Sequence, residues 1–324
     1  MQIYSKILKI LRKLKVLISY YYHICLYSRC DYFDYKKISK PYPLFCISKE
    51  LGVKGNYCYG NIKAVKNALG CNFDKHCMIE HGVYFGKVIL YDECEIKKIS
   101  TIYTYSHYRQ KCLQNYYNGT LDKKVVIVGP YIKYAKNFYD VETLKRIKNK
   151  YGKILLVFPS HPDPENEHNY DIVSFVEEIE RIKKDFDSVF ISMYWLDIVR
   201  ENYKLYEKLN YHIVCSGNRN DPLFLSRQKD LIELSDMTIS NDIGTHIGYC
   251  IALNKPHYLF KQNVVTRDIS FTGEKNNKEI SGEREKEYER ITNAFNKYSN
   301  KITKEQMDIV DFFWGKNVEN GIRI

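Results

Sequence analysis

The chain reads VVIV at Val125–Val128, KILLVFPSHP at Lys153–Pro162, VFI at Val189–Ile191, HIV at His212–Val214, MTISNDIGTH at Met237–His246 and HYLF at His257–Phe260. These short apolar runs are continuous, not alternating, which is how a strand covered on both faces reads. Between them lie segments of helical apolar spacing, such as Ile172, Phe175, Val176, Ile179, Ile182 and Phe186. Strand and helix in alternation predict a doubly wound parallel α/β sheet.

Open sheets of this kind bind ligands beyond the carboxyl ends of their strands. Here those ends read Gly129-Pro130, Ser160-His161-Pro162, Ser216-Gly217-Asn218-Arg219 and Ser240-Asn241-Asp242-Ile243-Gly244-Thr245-His246. Hydroxyls, amides and the free N–H groups of helix N-termini, with a cationic arginine beside them, suit a phosphate. The candidate anion site is therefore Gly129, Pro130, His161, Pro162, Ser216, Arg219, Ser240, Asn241, Gly244 and Thr245. Pro162 stiffens the His161 turn, because proline presets φ at the first position of a helix. Ser240 and Asn241 also read as helix caps, which is compatible with a ligand on the same turn. His246 and His257 read as structural histidines, and Asp163, Glu165 and Glu167 as a solvated acidic helix start.

Upstream, a smaller and less regular α/β unit is expected over 31–121. Asn61 to Leu69 reads as a helix opened by Gly60, His76 to Phe85 as a strand with a turn at His81-Gly82, and Ile99 to Tyr105 as a second strand. Asn118-Gly119 marks a turn into the second domain, 122–262. The two halves are expected to face each other as Rossmann-like domains across a cleft. His107 and Arg109 follow a strand of the first unit and are acceptor-binding candidates, Arg109 having the alternative of a surface ion pair. In 263–324, a charged loop from Thr272 to Gly282 precedes two helices. One carries Tyr288, Ile291, Phe295 and Tyr298 on a stripe, and the other opens on a Thr303/Gln306 capping box.

Residues 1–30 form a basic amphipathic helix. Ile3, Ile7, Ile10, Leu14 and Leu17 make a narrow stripe, with Lys6, Lys9, Arg12 and Lys13 on other faces. The uncharged run Val16–Tyr27 is too short to span a bilayer, which takes about 20 apolar residues. Two readings stand: a helix lying in an anionic membrane interface, with Tyr20 to Tyr22 at headgroup depth, or one docked on the protein's own surface.

The net charge of +11 over 324 residues calls for an acidic partner. No zinc-finger spacing, RNA-recognition motif or helix-turn-helix signature accompanies it, so nucleic acid is not the expected one. Ten cysteines at irregular spacing, none in a C-x-x-C pair, read as free thiols in a cytoplasmic chain with neither metal nor cofactor.

The order of these motifs, a His-Gly turn, then a His-Pro turn, then a Ser turn, resembles GT-B glycosyltransferases of the bacterial capsule and lipopolysaccharide type. Transferases using CMP-activated sialic or related acids are the nearest likeness, over roughly Met78 to Phe260. In them the His-Pro and Ser turns hold the nucleotide, and an acid-acid-Gly turn supplies the base. Glu80-His81-Gly82 stands in that place, with His81 where the second acid is expected. CDP-glycerol phosphotransferases are also similar, and in those a His-Gly turn carries the base. The resemblance implies a metal-free transferase with His81 or Glu80 as base. Its donor would be a CMP- or other NDP-sugar and its acceptor a cell-surface polysaccharide or lipid-linked glycan, at the inner face of the cytoplasmic membrane. Phosphotransfer from CDP-glycerol, UDP-sugar epimerisation, and non-catalytic binding of nucleic acid or an anionic surface by a basic protein are the alternatives.

Overall fold

A computed structural model describes residues 2–41, 54–70, 76–86, 97–116, 123–161, 166–268 and 281–318. The chain opens with helix α1 (Gln2–Tyr27), and α2 (Asn61–Leu69) follows after Gly60. The first sheet is three short parallel strands, β1 (Cys77–Ile79), β2 (Thr101–Thr104) and β3 (Lys124–Ile127), with α3 (His107–Tyr116) crossing from β2 to β3. The second sheet follows helix α4 (Val141–Tyr151). It comprises β4 (Ile154–Phe158), β6 (Ser188–Ser192), β7 (His212–Val214), β8 (Met237–Ser240) and β9 (His257–Leu259), all parallel, in the order β7-β6-β4-β8-β9. Its crossovers include α5 (Ile172–Lys183), α6 (Phe224–Leu234) and α7 (Thr245–Ala252). An antiparallel ribbon pairs β5 (Asn166–Asn169) with β10 (Val265–Asp268). The described chain ends on α8 (Ser281–Phe295) and α9 (Lys304–Trp314). This is the expected α/β architecture, two parallel sheets facing one cleft.

The continuous apolar runs have a direct cause. Successive strand side chains point to opposite faces, and along β4 Ile154, Leu156 and Phe158 enter one core while Leu155 and Val157 enter another. All five are buried. On α5, Phe175, Ile179 and Ile182 are buried against the second core, each contributing about 1.5–3 kcal/mol. The helix starts are cut by side-chain caps: Asp140 accepts from Thr143, Asp171 from Val173 and Ser174, and the Thr303/Gln306 box is closed in both directions.

One strand changes sheets relative to expectation. Val125–Val128 reads from sequence as the opening of the second domain, but β3 pairs in parallel register with β2, Ile102 opposite Val125. It completes the first sheet, and the rings of Tyr105 and Tyr131, just past the ends of β2 and β3, meet at a tilt with centres 4.2 Å apart. The strand expected over His76–Phe85 stops at Ile79, where the Glu80 side chain is drawn toward Arg109. Most of the Thr272–Gly282 loop, the Asn118-Gly119 turn and Pro162 lie outside the described residues; Ser281 and Gly282 begin α8.

The C-terminal helix locks the halves together. Trp314 on α9 donates from Nε1 to the Thr245 carbonyl at 3.1 Å, and the Phe313 carbonyl accepts from Ser106 Oγ at 2.9 Å. Gly248 on α7 permits this packing, since a Cβ there would sit 2.2 Å from the Trp314 ring.

Candidate active site

The order of the second sheet places its switch point between β4 and β8, where the chain, having run outward through β6 and β7, returns to start the other side. A crevice opens at such a point. Here a cleft of about 370 Å³ is lined from one side by the turn after β1 and from the other by the loops after β4 and β8. That volume lies in the range of small-molecule sites.

On the second-sheet side the two polar turns meet. Phe158 and Ser240 are in register, and the Ser160 N–H donates to Asn241 Oδ1 at 2.6 Å. Ser240 and Asn241 are themselves fully buried behind the cleft wall. Ser240 Oγ bonds the Asp242 carbonyl at 2.9 Å and His257 Nε2 at 3.1 Å; Asn241 Nδ2 donates to Gln262 at 2.9 Å. As ligands these two residues are corrected: their polar atoms are spent on the loops, which they shape. His257 is held by Thr238 and Ser240, a structural role.

His161, Ser216, Gly244 and Thr245 do line the cleft. The His161 ring lies stacked on Tyr194, centroids 4.1 Å apart. Helix α7 starts after Gly244 with no side-chain cap, leaving its first N–H groups without the acceptor that Asp140, Asp171 and Thr303 supply elsewhere. Gly244 admits the imidazole of His246, whose Nδ1 would lie 2.8 Å from any Cβ placed there. His246 stacks on Phe158, and burial with the nearby His161 lowers its pKa to about 3. Its Nε2 has no hydrogen-bond partner among the described residues.

The facing side is the Glu80-His81-Gly82 turn. His81 Nε2 pairs with the Tyr84 hydroxyl at 2.9 Å, and its carbonyl accepts from Asn61 Nδ2 at 3.2 Å. Burial, helped by the charge of Arg219, lowers its pKa to about 4, so the ring is neutral at physiological pH. One residue past Gly82, the Val83 N–H donates to Thr245 Oγ1 at 3.1 Å. That bond fastens the histidine turn of the first half to the helix N-terminus of the second.

Other expected residues stand elsewhere. Glu80 is not placed to act as base, because Arg109 Nε and Nη2 and Thr104 Oγ1 all donate to its carboxylate, which is buried off the cleft. Arg109 is correspondingly not an acceptor ligand; Nη1 holds the Gly86 carbonyl at 3.0 Å. His107 is exposed at the start of α3, away from the cleft lining. Gly129 and Pro130 are buried under the end of α9, where a Cβ on Gly129 would meet the Gly315 carbonyl at 2.8 Å. Arg219 lies just behind the wall, its Nη2 on Cys58 Sγ at 3.5 Å and its carbonyl accepting from Tyr59 N. Its charge reaches His81 but its side chain does not line the cleft.

Sequence reasoning passed over Asn61, Tyr59, Tyr194, Arg284 and Tyr288, all in the cleft lining. Tyr288 was legible only as part of an apolar helical stripe. The others carry no local pattern, since the fold alone brings them to the cleft.

No family model matches the chain, and no curated protein does. Among solved structures, the wall teichoic acid polymerase TagF is similar at 15% identity and a TM-score of 0.38, over 57% of this chain and 48% of that one. A variant of TagF soaked with CDPG is similar at 14% identity and a TM-score of 0.38, over 56% and 47%. The chain thus spans about half the length of the polymerase it is compared with.

Proposed function

We propose that this chain is a transferase that moves a sugar from a nucleotide-activated donor to a hydroxyl of a cell-surface polysaccharide or lipid-linked glycan. The observation that carries this reading is the Val83–Thr245 bond, which sets a neutral histidine beside an uncapped helix N-terminus across one cleft. The helix N-terminus at Gly244–Thr245, with Ser216 and His161, takes the donor's phosphate. The acceptor oxygen attacks the anomeric carbon, its proton passes to His81, and the bond from that carbon to the phosphate oxygen breaks. Charge gathering on the departing nucleotide is met by the dipole and N–H groups of α7. A pKa near 4 makes free His81 a weak base. An anionic donor seated beside it raises its proton affinity, because a nearby opposite charge favours the imidazolium. No metal or cofactor is invoked.

The histidine in place of an acid at position 81 favours a second reading with the same site: phosphotransfer from a CDP-linked alcohol, the acceptor oxygen attacking phosphorus instead of carbon. Incubating the full chain with CMP-, CDP- and UDP-activated donors and scoring nucleotide release separates the two. His81→Ala should lower transfer by about 10²–10⁴-fold while nucleotide binding persists. Absence of binding to any nucleotide, or undiminished turnover by His81→Ala, would end the proposal.

Helix α1 belongs to the same reading. Among the described residues no helix is long and apolar enough to cross a membrane, yet Ile7, Leu14, Ile18 and Tyr22 are exposed and no acidic residue precedes Asp31. Such a helix suits the surface of an anionic leaflet.

A further inference from the structure

Two formally charged side chains line the cleft among the described residues, Asp242 and Arg284. Asp242 is neutralised by Lys261. Arg284, in the first turn of α8, has no carboxylate partner among the described residues. Its Nη2 and Nε donate to the Tyr288 hydroxyl at 2.7 and 3.2 Å, and its guanidinium lies 5.0 Å from the Tyr288 ring centre. Arginine has five N–H donors, so the rest of the fork remains for another acceptor.

The position of this cation is built. Tyr288 packs edge-on to Phe85, ring centres 5.4 Å apart. The Tyr108 hydroxyl, which accepts from the Gly86 N–H at 2.8 Å, donates to Glu287 on the same helix, so the neighbouring acid is turned to Tyr108. Gly86, with φ of 69°, brings the loop within 3.8 Å of Arg284 Cβ, measured from the Cβ it lacks. Arg284 is thereby held on the lip formed by the segment after His81, whereas the uncapped helix N-terminus belongs to the other wall.

We infer that Arg284, carried on Tyr288, is an oxyanion subsite at the mouth of the cleft that takes a phosphate or carboxylate of the acceptor. The acceptor is then an anionic molecule, and Arg284 is what distinguishes it from a neutral one. The term acceptor rests on the transferase reading; the oxyanion site itself does not. A bidentate guanidinium discriminates strongly for such groups, which an ammonium does not match.

The test uses the full chain held saturated with CMP and titrated calorimetrically with inorganic phosphate, glycerol 3-phosphate and glycerol. Wild type should bind the two phosphates and not glycerol. Arg284→Gln should weaken both at least tenfold and Arg284→Lys by less, with CMP affinity unchanged within twofold. Equal phosphate binding by wild type and Arg284→Gln overturns the inference, as does wild type that binds neither phosphate. A parallel fall in CMP affinity also overturns it, by moving Arg284 to the donor's phosphate. Failure of wild type to bind CMP, CDP or UDP sinks the transferase reading instead, and leaves the phosphate titration of the uncomplexed chain to decide the subsite.

Discussion

The Glu80 carboxylate meets the Arg109 guanidinium at 2.7 Å, both side chains within 2% of full burial. Thr104 and the Gly86 carbonyl complete the network. Removing one partner of such a pair leaves the other charge buried and uncompensated, which costs about 3–5 kcal/mol. Glu80→Gln and Arg109→Met should each lose stability on that scale by urea unfolding, and the double variant should lose less than the sum. If Glu80→Gln kept full stability and lost only turnover, Glu80 would be a chemical group after all.

If His81 is the base, as proposed, it should set the acid limb of activity. A base must be neutral, and the free ring is protonated only as pH falls through about 4. The kcat/KM profile, which reports the free enzyme, should therefore be free of a histidine titration between pH 6 and 8 and decline in acid. An acid limb centred near the ordinary histidine value would contradict the burial of this ring.

The same burial makes folding pH-dependent. His81 and His246 are lowered to about 4 and about 3, and His257 is lowered as well, all chiefly by burial. Below 6.5 the unfolded chain binds protons that the folded chain refuses, so stability falls as pH drops through that value toward the folded pKa values. The slope is about 1.4 kcal/mol per pH unit for each histidine. Urea midpoints at pH 7, 6 and 5 should fall in order, and His246→Phe should flatten the trend.

Thr245 couples the halves. Thr245→Val removes the acceptor for the Val83 N–H, at a cost of about 1–3 kcal/mol for an unsatisfied buried donor, and should reduce transfer as well as stability. Thr245→Ser keeps the oxygen and should restore most of both. Gly248→Ala, by contrast, drives a methyl into the Trp314 ring and should destabilise by about 1–3 kcal/mol or more, visible as a lowered Tm.

For α1, flotation of the full chain with vesicles containing phosphatidylglycerol should show binding that weakens with salt. Leu14→Ser and Ile18→Ser together should reduce it without changing the Tm, because both side chains are exposed in the chain alone. Equal flotation with neutral vesicles would remove the electrostatic part of the reading.

The sequence by itself determined the parallel second sheet, the helix of Asn61–Leu69 and the capping box at Thr303. Continuous apolar runs, helical spacing and cap chemistry are local consequences of burial and of unpaired backbone groups, so they are written in neighbouring residues. Tertiary structure alone decided that β3 joins β2, that Glu80 is consumed by an arginine 29 positions away, that Ser240 and Asn241 sit behind the wall, and that Arg284 reaches the cleft from beyond the second sheet. A side chain's chemistry depends on which partners and how much water the fold leaves it. Those partners come from segments far apart in the chain, where no short-range periodicity records them.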